Sequence, residues 1–155
     1  MERIELLLHD IRSAHNVGSI FRTADAAGVA GVHLSGYTPR PTDRFGRESR
    51  EIAKTALGAE RSMPWEYRSD PKRIIVQARE RGLHVVGIEQ DERAIDYRAF
   101  RLVQPTLFVL GNEVRGMSPA LRAVCDGLLE IPMLGKKESL NVGVAAGIVL
   151  FGVRG

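Results

Sequence analysis

Three short stretches of the chain combine residue types that can do chemistry. The first, HNVGSIFRTADAAG (His15–Gly28), sets an amide, Asn16, two residues before Gly18, with an arginine, Arg22, one turn further on. A guanidinium offers a planar fork of donors that matches a phosphate. The second, LGNEVRGMS (Leu110–Ser118), places Asn112 and Glu113 between Gly111 and Gly116, so exposed backbone, an amide and a carboxylate share one loop. The third, IPMLGKKESLNV (Ile131–Val142), supplies Lys136, Lys137, Ser139 and Asn141 ahead of an apolar segment.

The familiar nucleotide chemistries fail on these stretches. Gly111 and Gly116 are spaced like the ends of a phosphate-binding loop, but Met117-Ser118 stands where Lys-Ser/Thr is required. The chain contains no GxGxxG, which removes support for a dinucleotide enzyme. One cysteine, Cys125, cannot form an internal disulfide and leaves too few soft ligands for a zinc site. It falls on the apolar side of LRAVCDGLLEI, where a small core residue is the simpler reading. No metal is expected, and the lone thiol points to the cytoplasm.

The elements that must position these residues follow from periodicity. Val17, Ile20, Phe21 and Ala24 are spaced i, i+3, i+4, i+7, which predicts a helix ending at Gly28. Gly18 lies off that face, where a helix gains nothing from glycine. Short apolar runs at Ile4–Leu8, Val29–Leu34, Leu83–Ile88, Thr106–Leu110 and Leu128–Ile131 predict strands, with another short one over Arg61–Tyr67. Helices are expected over Glu48–Leu57, from Asp70-Pro71 to Arg81, from Ser118-Pro119 to Cys125, and from Asn141 to Val153. Alternating strands and helices predict an α/β protein with a parallel sheet covered on both faces. Ligands in such sheets sit beyond the carboxyl ends of the strands, which selects the loops after Ile88, Leu110 and Ile131.

With 155 residues, 44% hydrophobic and 26% charged, the chain suits one globular domain. The longest apolar run, Val142–Val153, has 12 residues including three glycines, short of the roughly 20 a membrane span needs. It is apolar nearly all round, which predicts burial. Gly143 and Gly147 give it a flat face that fits either the sheet or a second subunit. Net charge is +3, compatible with nucleic acid without demanding it. Arg40, Arg44 and Arg47 fall in a Gly/Pro-rich loop, either as a solvated charged loop or as a phosphate-contacting one.

Together the three stretches resemble the SPOUT superfamily, specifically its TrmH-like (SpoU) RNA 2′-O-ribose methyltransferases. The matching residues are Asn16, Gly18 and Arg22, then Gly111, Asn112, Glu113 and Gly116, then Ile131, Pro132, Met133, Gly135, Ser139, Leu140 and Asn141. The resemblance covers essentially the whole chain. It implies S-adenosylmethionine-dependent methylation of a ribose 2′-hydroxyl in structured tRNA or rRNA. It also implies a parallel sheet whose carboxyl-terminal part forms a deep trefoil knot, and a homodimer with the active site at the subunit interface. The knot goes against the general rule that chains do not thread loops.

By the same resemblance, the cofactor is expected against Ile88, Leu110, Gly111, Asn112, Gly116, Ile131, Met133, Ser139 and Leu140. Gly116 is expected to let backbone approach the methionine portion. Arg22, Asn16, Glu113, Ser139 and Asn141 carry the target chemistry, with Arg22 either the base or a grip on the phosphate beside the target ribose. Gly18 is expected to clear space for RNA to reach Arg22. RNA would be held by Arg22, Arg40, Arg44, Arg47, Lys136 and Lys137. Residues 1–155 are expected to form one catalytic domain without an added RNA-binding domain. The alternative is a non-catalytic knotted protein that binds S-adenosylmethionine or RNA. The presence of Asn16, Arg22, Glu113 and Asn141 speaks against it.

Overall fold

A computed structural model describes all of residues 1–155. Its seven strands are β1 (Ile4–His9), β2 (Gly31–Ser35), β3 (Trp65–Tyr67), β4 (His84–Ile88), β5 (Ile95–Asp96), β6 (Thr106–Leu110) and β7 (Gly127–Glu130). They form a single sheet in the order β3-β2-β1-β6-β4-β7-β5, with every pairing parallel. The six α-helices are α1 (Ala14–Ala26), α2 (Arg50–Ala56), α3 (Ala59–Ser62), α4 (Pro71–Glu80), α5 (Pro119–Val124) and α6 (Val142–Val153).

Alternation along the strands divides the interior into two layers. On β1, Ile4, Leu6 and Leu8 join the larger core with α1, α2 and α6, while Leu7 faces the smaller core with α4 and α5. Both faces of the sheet are therefore covered, as its apolar strands require. Ser13, Ser49, Asp70, Ser118 and Asn141 each cap a helix through a side-chain oxygen. No helix is long and apolar enough to cross a membrane.

Four expectations need correction. The segment expected as a strand over Arg61–Tyr67 begins instead in α3, and only Trp65–Tyr67 pairs with β2. Gly18 is buried, and a Cβ there would lie 2.0 Å from Thr55 Oγ1 and 2.4 Å from the Ile52 carbonyl oxygen. Its bare backbone admits α2 rather than RNA. Gly143 and Gly147 face α1 rather than the sheet: Cβ atoms added there would come 3.7 Å from Ser19 Cβ and 3.5 Å from Thr23 Cγ2 on α1. Finally, α6 is not buried all round. Its inner face packs on α1, while Val144 and Phe151 remain 51% and 54% exposed. Cys125 is buried, and that burial pushes its thiol up to about 11, so it is an inert core residue.

At the amino-terminal edge, Glu5 is 1% exposed yet ionised. It accepts bonds from both terminal nitrogens of Arg81 (2.8 and 2.9 Å) and from Arg3 (2.7 Å), and pairs with His33 Nε2 at 2.7 Å. Burial alone would raise its pKa, but bonds to His33, Arg81 and Arg3 outweigh it and hold the carboxyl well below the carboxylate range. A depressed pKa stabilises the fold above the unfolded value, and that stability drains away as pH falls. Glu5→Gln is therefore expected to lower the melting temperature at pH 7. The gap from the wild type should narrow steadily below about pH 4.5 in a thermal-melt series.

Candidate functional site

β6 ends at Leu110 in the middle of the sheet, and its loop turns back at once. Gly116 adopts φ +67°, and a bridge between Asn112 and Gly116 closes the turn. A Cβ at Gly111 would meet the Met117 nitrogen at 2.8 Å, and one at Gly116 would meet the Glu89 carboxylate at 2.4 Å. Gly116 is thus required by the turn itself and by the closeness of Glu89. Asn112 spends both ends of its amide on this geometry. Its Nδ2 donates to the Asp10 carbonyl and the Tyr37 hydroxyl, and its Oδ1 accepts from the N–H groups of Val114 and Arg115.

Three loops now converge beyond the carboxyl ends of β4, β6 and β7 on an open pocket. All nine residues expected at a cofactor line it, Ile88, Leu110 and Met133 from the apolar set and Gly111 and Gly116 from the turn among them. Half of its 16 lining residues are hydrophobic, and the remainder offer backbone and a few polar groups. That is the makeup of a small-molecule site. Ser139 sits on its rim. Glu89 was not foreseen: its Oε2 accepts the Met117 N–H at 2.7 Å and ties the loops after β4 and β6 together. The sequence did mark the loop after Ile88, but not which of its polar residues matters.

Glu113, Asn16 and Asn141, one from each stretch, form a continuous relay. Glu113 accepts the N–H groups of Arg12 and Ser13 at 2.8 and 2.9 Å, just ahead of α1. Asn16 Nδ2 donates to Glu113 at 3.1 Å, and Asn141 Nδ2 donates to Asn16 Oδ1 at 3.1 Å. Asn141 Oδ1 in turn caps α6 by accepting from Gly143 and Val144. Burial pushes the Glu113 pKa up, but the bonds from Arg12, Ser13 and Asn16 prevail and hold it low. Glu113 is therefore a fixed anion with its lone pairs engaged, unsuited to take up a proton.

Arg22 stands apart from this relay. It is exposed on α1, beside Lys54 and Thr55 of α2 and Phe151 of α6, and outside the pocket. It lies six positions along the helix from Asn16, a rise of about 9 Å. Lys136 and Lys137 are exposed on the loop between β7 and α6, and Arg44 and Arg47 on the loop between β2 and α2, where Arg40 is half-buried. No group of three or more His, Cys, Asp or Glu side chains is placed to hold a metal ion.

The sequence profile of the SpoU rRNA Methylase family matches residues 3–151. The chain belongs to this family. Within it, the chain is 36% identical over 146 residues to the 23S rRNA (guanosine-2′-O-)-methyltransferase RlmB of Ralstonia nicotianae, covering 94% of this chain and 56% of that protein. Its fold superposes on the AdoMet-bound rRNA methyltransferase of Sinorhizobium meliloti with a TM-score of 0.87 and 32% identity, over 98% of this chain and 56% of that one. It also matches the TrmH/SpoU tRNA modifying enzyme of A. aeolicus at a TM-score of 0.85 and 25% identity, over 99% of this chain and 75% of that one. The chain thus spans little more than half the length of the curated relatives it matches.

Proposed function

We propose that this SpoU-family chain transfers a methyl group from S-adenosylmethionine to a ribose 2′-hydroxyl of structured RNA, tRNA or rRNA. The observation that carries the reading is the convergence of all nine expected cofactor residues on one pocket, bordered by the Glu113–Asn16–Asn141 relay. The pocket fits the cofactor's chemistry: apolar side chains for adenine, and turn backbone for its polar edge. S-adenosylmethionine, when bound, supplies a methyl already activated by positive sulfur. The chain's own task is to align the 2′-oxygen with that methyl while the hydroxyl proton passes to water.

Arg22 grips the phosphate beside the target ribose in this reading. A protonated guanidinium has no acceptor, which argues against its serving as the base. Lys136, Lys137, Arg40, Arg44 and Arg47 add phosphate contacts. Because Arg22 lies outside its own pocket, we read the enzyme as a homodimer in which Arg22 serves the partner's site. The uncovered Phe151 beside Arg22, and the uncovered Val144 seven residues earlier on α6, support that arrangement, since a second copy would bury them. We further read residues 1–155 as one catalytic domain whose carboxyl-terminal segment is threaded as a deep trefoil knot. The insertion of β6 between β1 and β4, and of β7 between β4 and β5, supports that path. A cytoplasmic location goes with the single unpaired thiol.

Calorimetry with S-adenosylmethionine and with NAD tests the cofactor. Binding of the first alone is expected, and binding of NAD alone would overturn the reading. Asn141 tests the relay. Asn141→Asp keeps the α6 cap but removes the donor to Asn16, so melting should hardly change while methyl transfer falls. Asn141→Ala loses the cap as well and should cost about 1 kcal/mol in a denaturant titration.

A further inference from the structure

The loop between β2 and α2 is not a loose tether for arginines. Thr42 and Glu48 form an antiparallel bridge across its neck. Asp43 ties the tip: its Oδ1 accepts the N–H groups of Phe45 (2.8 Å) and Arg47 (3.0 Å), its own N–H donates to the Arg47 carbonyl, and Gly46 takes φ +78° to close the turn. At the apex this turn holds Phe45 out to solvent, 68% exposed and the most exposed aromatic side chain in the chain. The guanidinium carbons of Arg44 and Arg47 lie 4.9 and 5.1 Å from its ring centroid. Below, Arg40 stacks over Tyr67 at 4.2 Å, and Tyr37 anchors the loop base to Asn112 of the cofactor loop.

A lone surface phenylalanine needs no explanation. Here the ring is presented by a turn that the Asp43 hydrogen bonds tie, and it is flanked by two cations. An aromatic face among arginines is what single-stranded nucleic acid uses: bases stack on the ring or on guanidinium planes, while phosphates pair with the charges. The loop leaves the same carboxyl edge as the pocket, two strands away in the order β2-β1-β6, or about 10 Å by strand spacing.

We propose that Phe45 is a stacking platform for an unpaired nucleobase of the substrate RNA. This rests on the RNA reading above and narrows it: the target ribose lies near unpaired nucleotides, because a paired base within a helix offers no free face to a side chain.

The test uses a 12-nucleotide single-stranded RNA carrying 2-aminopurine and the same strand annealed to its complement. Affinity and 2-aminopurine fluorescence are measured at low salt. The wild type is expected to bind the single strand and change its fluorescence. Phe45→Ala should weaken that binding about tenfold and abolish the fluorescence change, with duplex binding unaltered. Phe45→Trp should restore both. Equal binding of the single strand by wild type and Phe45→Ala would overturn the stacking role, as would an equal loss on both RNAs. Phe45 lies outside the pocket, so S-adenosylmethionine binding separates the two readings. If the cofactor still binds while Phe45→Ala changes nothing, only the stacking role falls. If the wild type binds neither cofactor nor RNA, the functional reading falls and takes this one with it.

Discussion

Arg22→Ala is expected to lower methyl transfer by about 10²-fold or more while leaving S-adenosylmethionine affinity unchanged. The two halves of that expectation come from different observations. Arg22 is exposed and lies outside the pocket, so its removal takes nothing from the cofactor site. Yet it is the arginine of the first stretch, placed beside the exposed Phe151, which the proposed dimer would bury. Single-turnover transfer assays and calorimetry on the same preparation read both quantities. Transfer near the wild-type rate would remove Arg22 from the site. A complementation assay locates the side it serves. Leu140→Arg blocks the pocket rim but keeps Arg22. If Arg22 acts on the partner's pocket, mixing that variant with Arg22→Ala should regain about a quarter of the activity, because each mixed dimer holds one intact site. No regain would place Arg22 at its own pocket.

Gly18→Ala is the second large effect, and it acts on stability. In an isolated helix the change would help by about 1 kcal/mol. Here the added methyl would sit 2.0 Å from Thr55 Oγ1 and 2.4 Å from the Ile52 carbonyl oxygen. Thr55 could rotate away, but the Ile52 backbone is fixed within α2, so α1 and α2 must separate. Overpacking of this kind costs about 1–3 kcal/mol or more, enough to outweigh the propensity gain. For a chain of this length, a net 2 kcal/mol lowers the melting temperature by roughly 4–8 °C. Thr55→Ala in the same background should recover only part of the loss, since the carbonyl remains. Full recovery would show that the hydroxyl alone set the limit.

The contrast between Gly18 and the pocket marks how far the sequence could be read. Strand and helix periods placed β1, β4, β6, β7 and the long helices, because each buries a regular apolar face. The cofactor loops followed, since strand carboxyl ends are where open parallel sheets bind ligands. β5 was missed because two residues at a sheet edge, Ile95 and Asp96, carry no period. The purpose of Gly18 was missed because local pattern shows a missing side chain but not the helix that takes its place. α6 misled in the opposite way: a helix apolar all round gives no sign that one face, with Val144 and Phe151, is left open in a single chain. The relay was half legible. Its residues stood out by type, but only the fold sets Asn141 against Asn16, 125 positions away, and leaves Arg22 outside.

Purified protein is incubated with S-adenosylmethionine and total RNA from cells lacking the gene, and the RNA is digested to nucleosides for mass spectrometry. A 2′-O-methylated nucleoside is expected to appear, and to be absent when Arg22→Ala replaces the wild type. Methyl groups appearing only on bases, or no transfer to RNA at all, would contradict the proposed function.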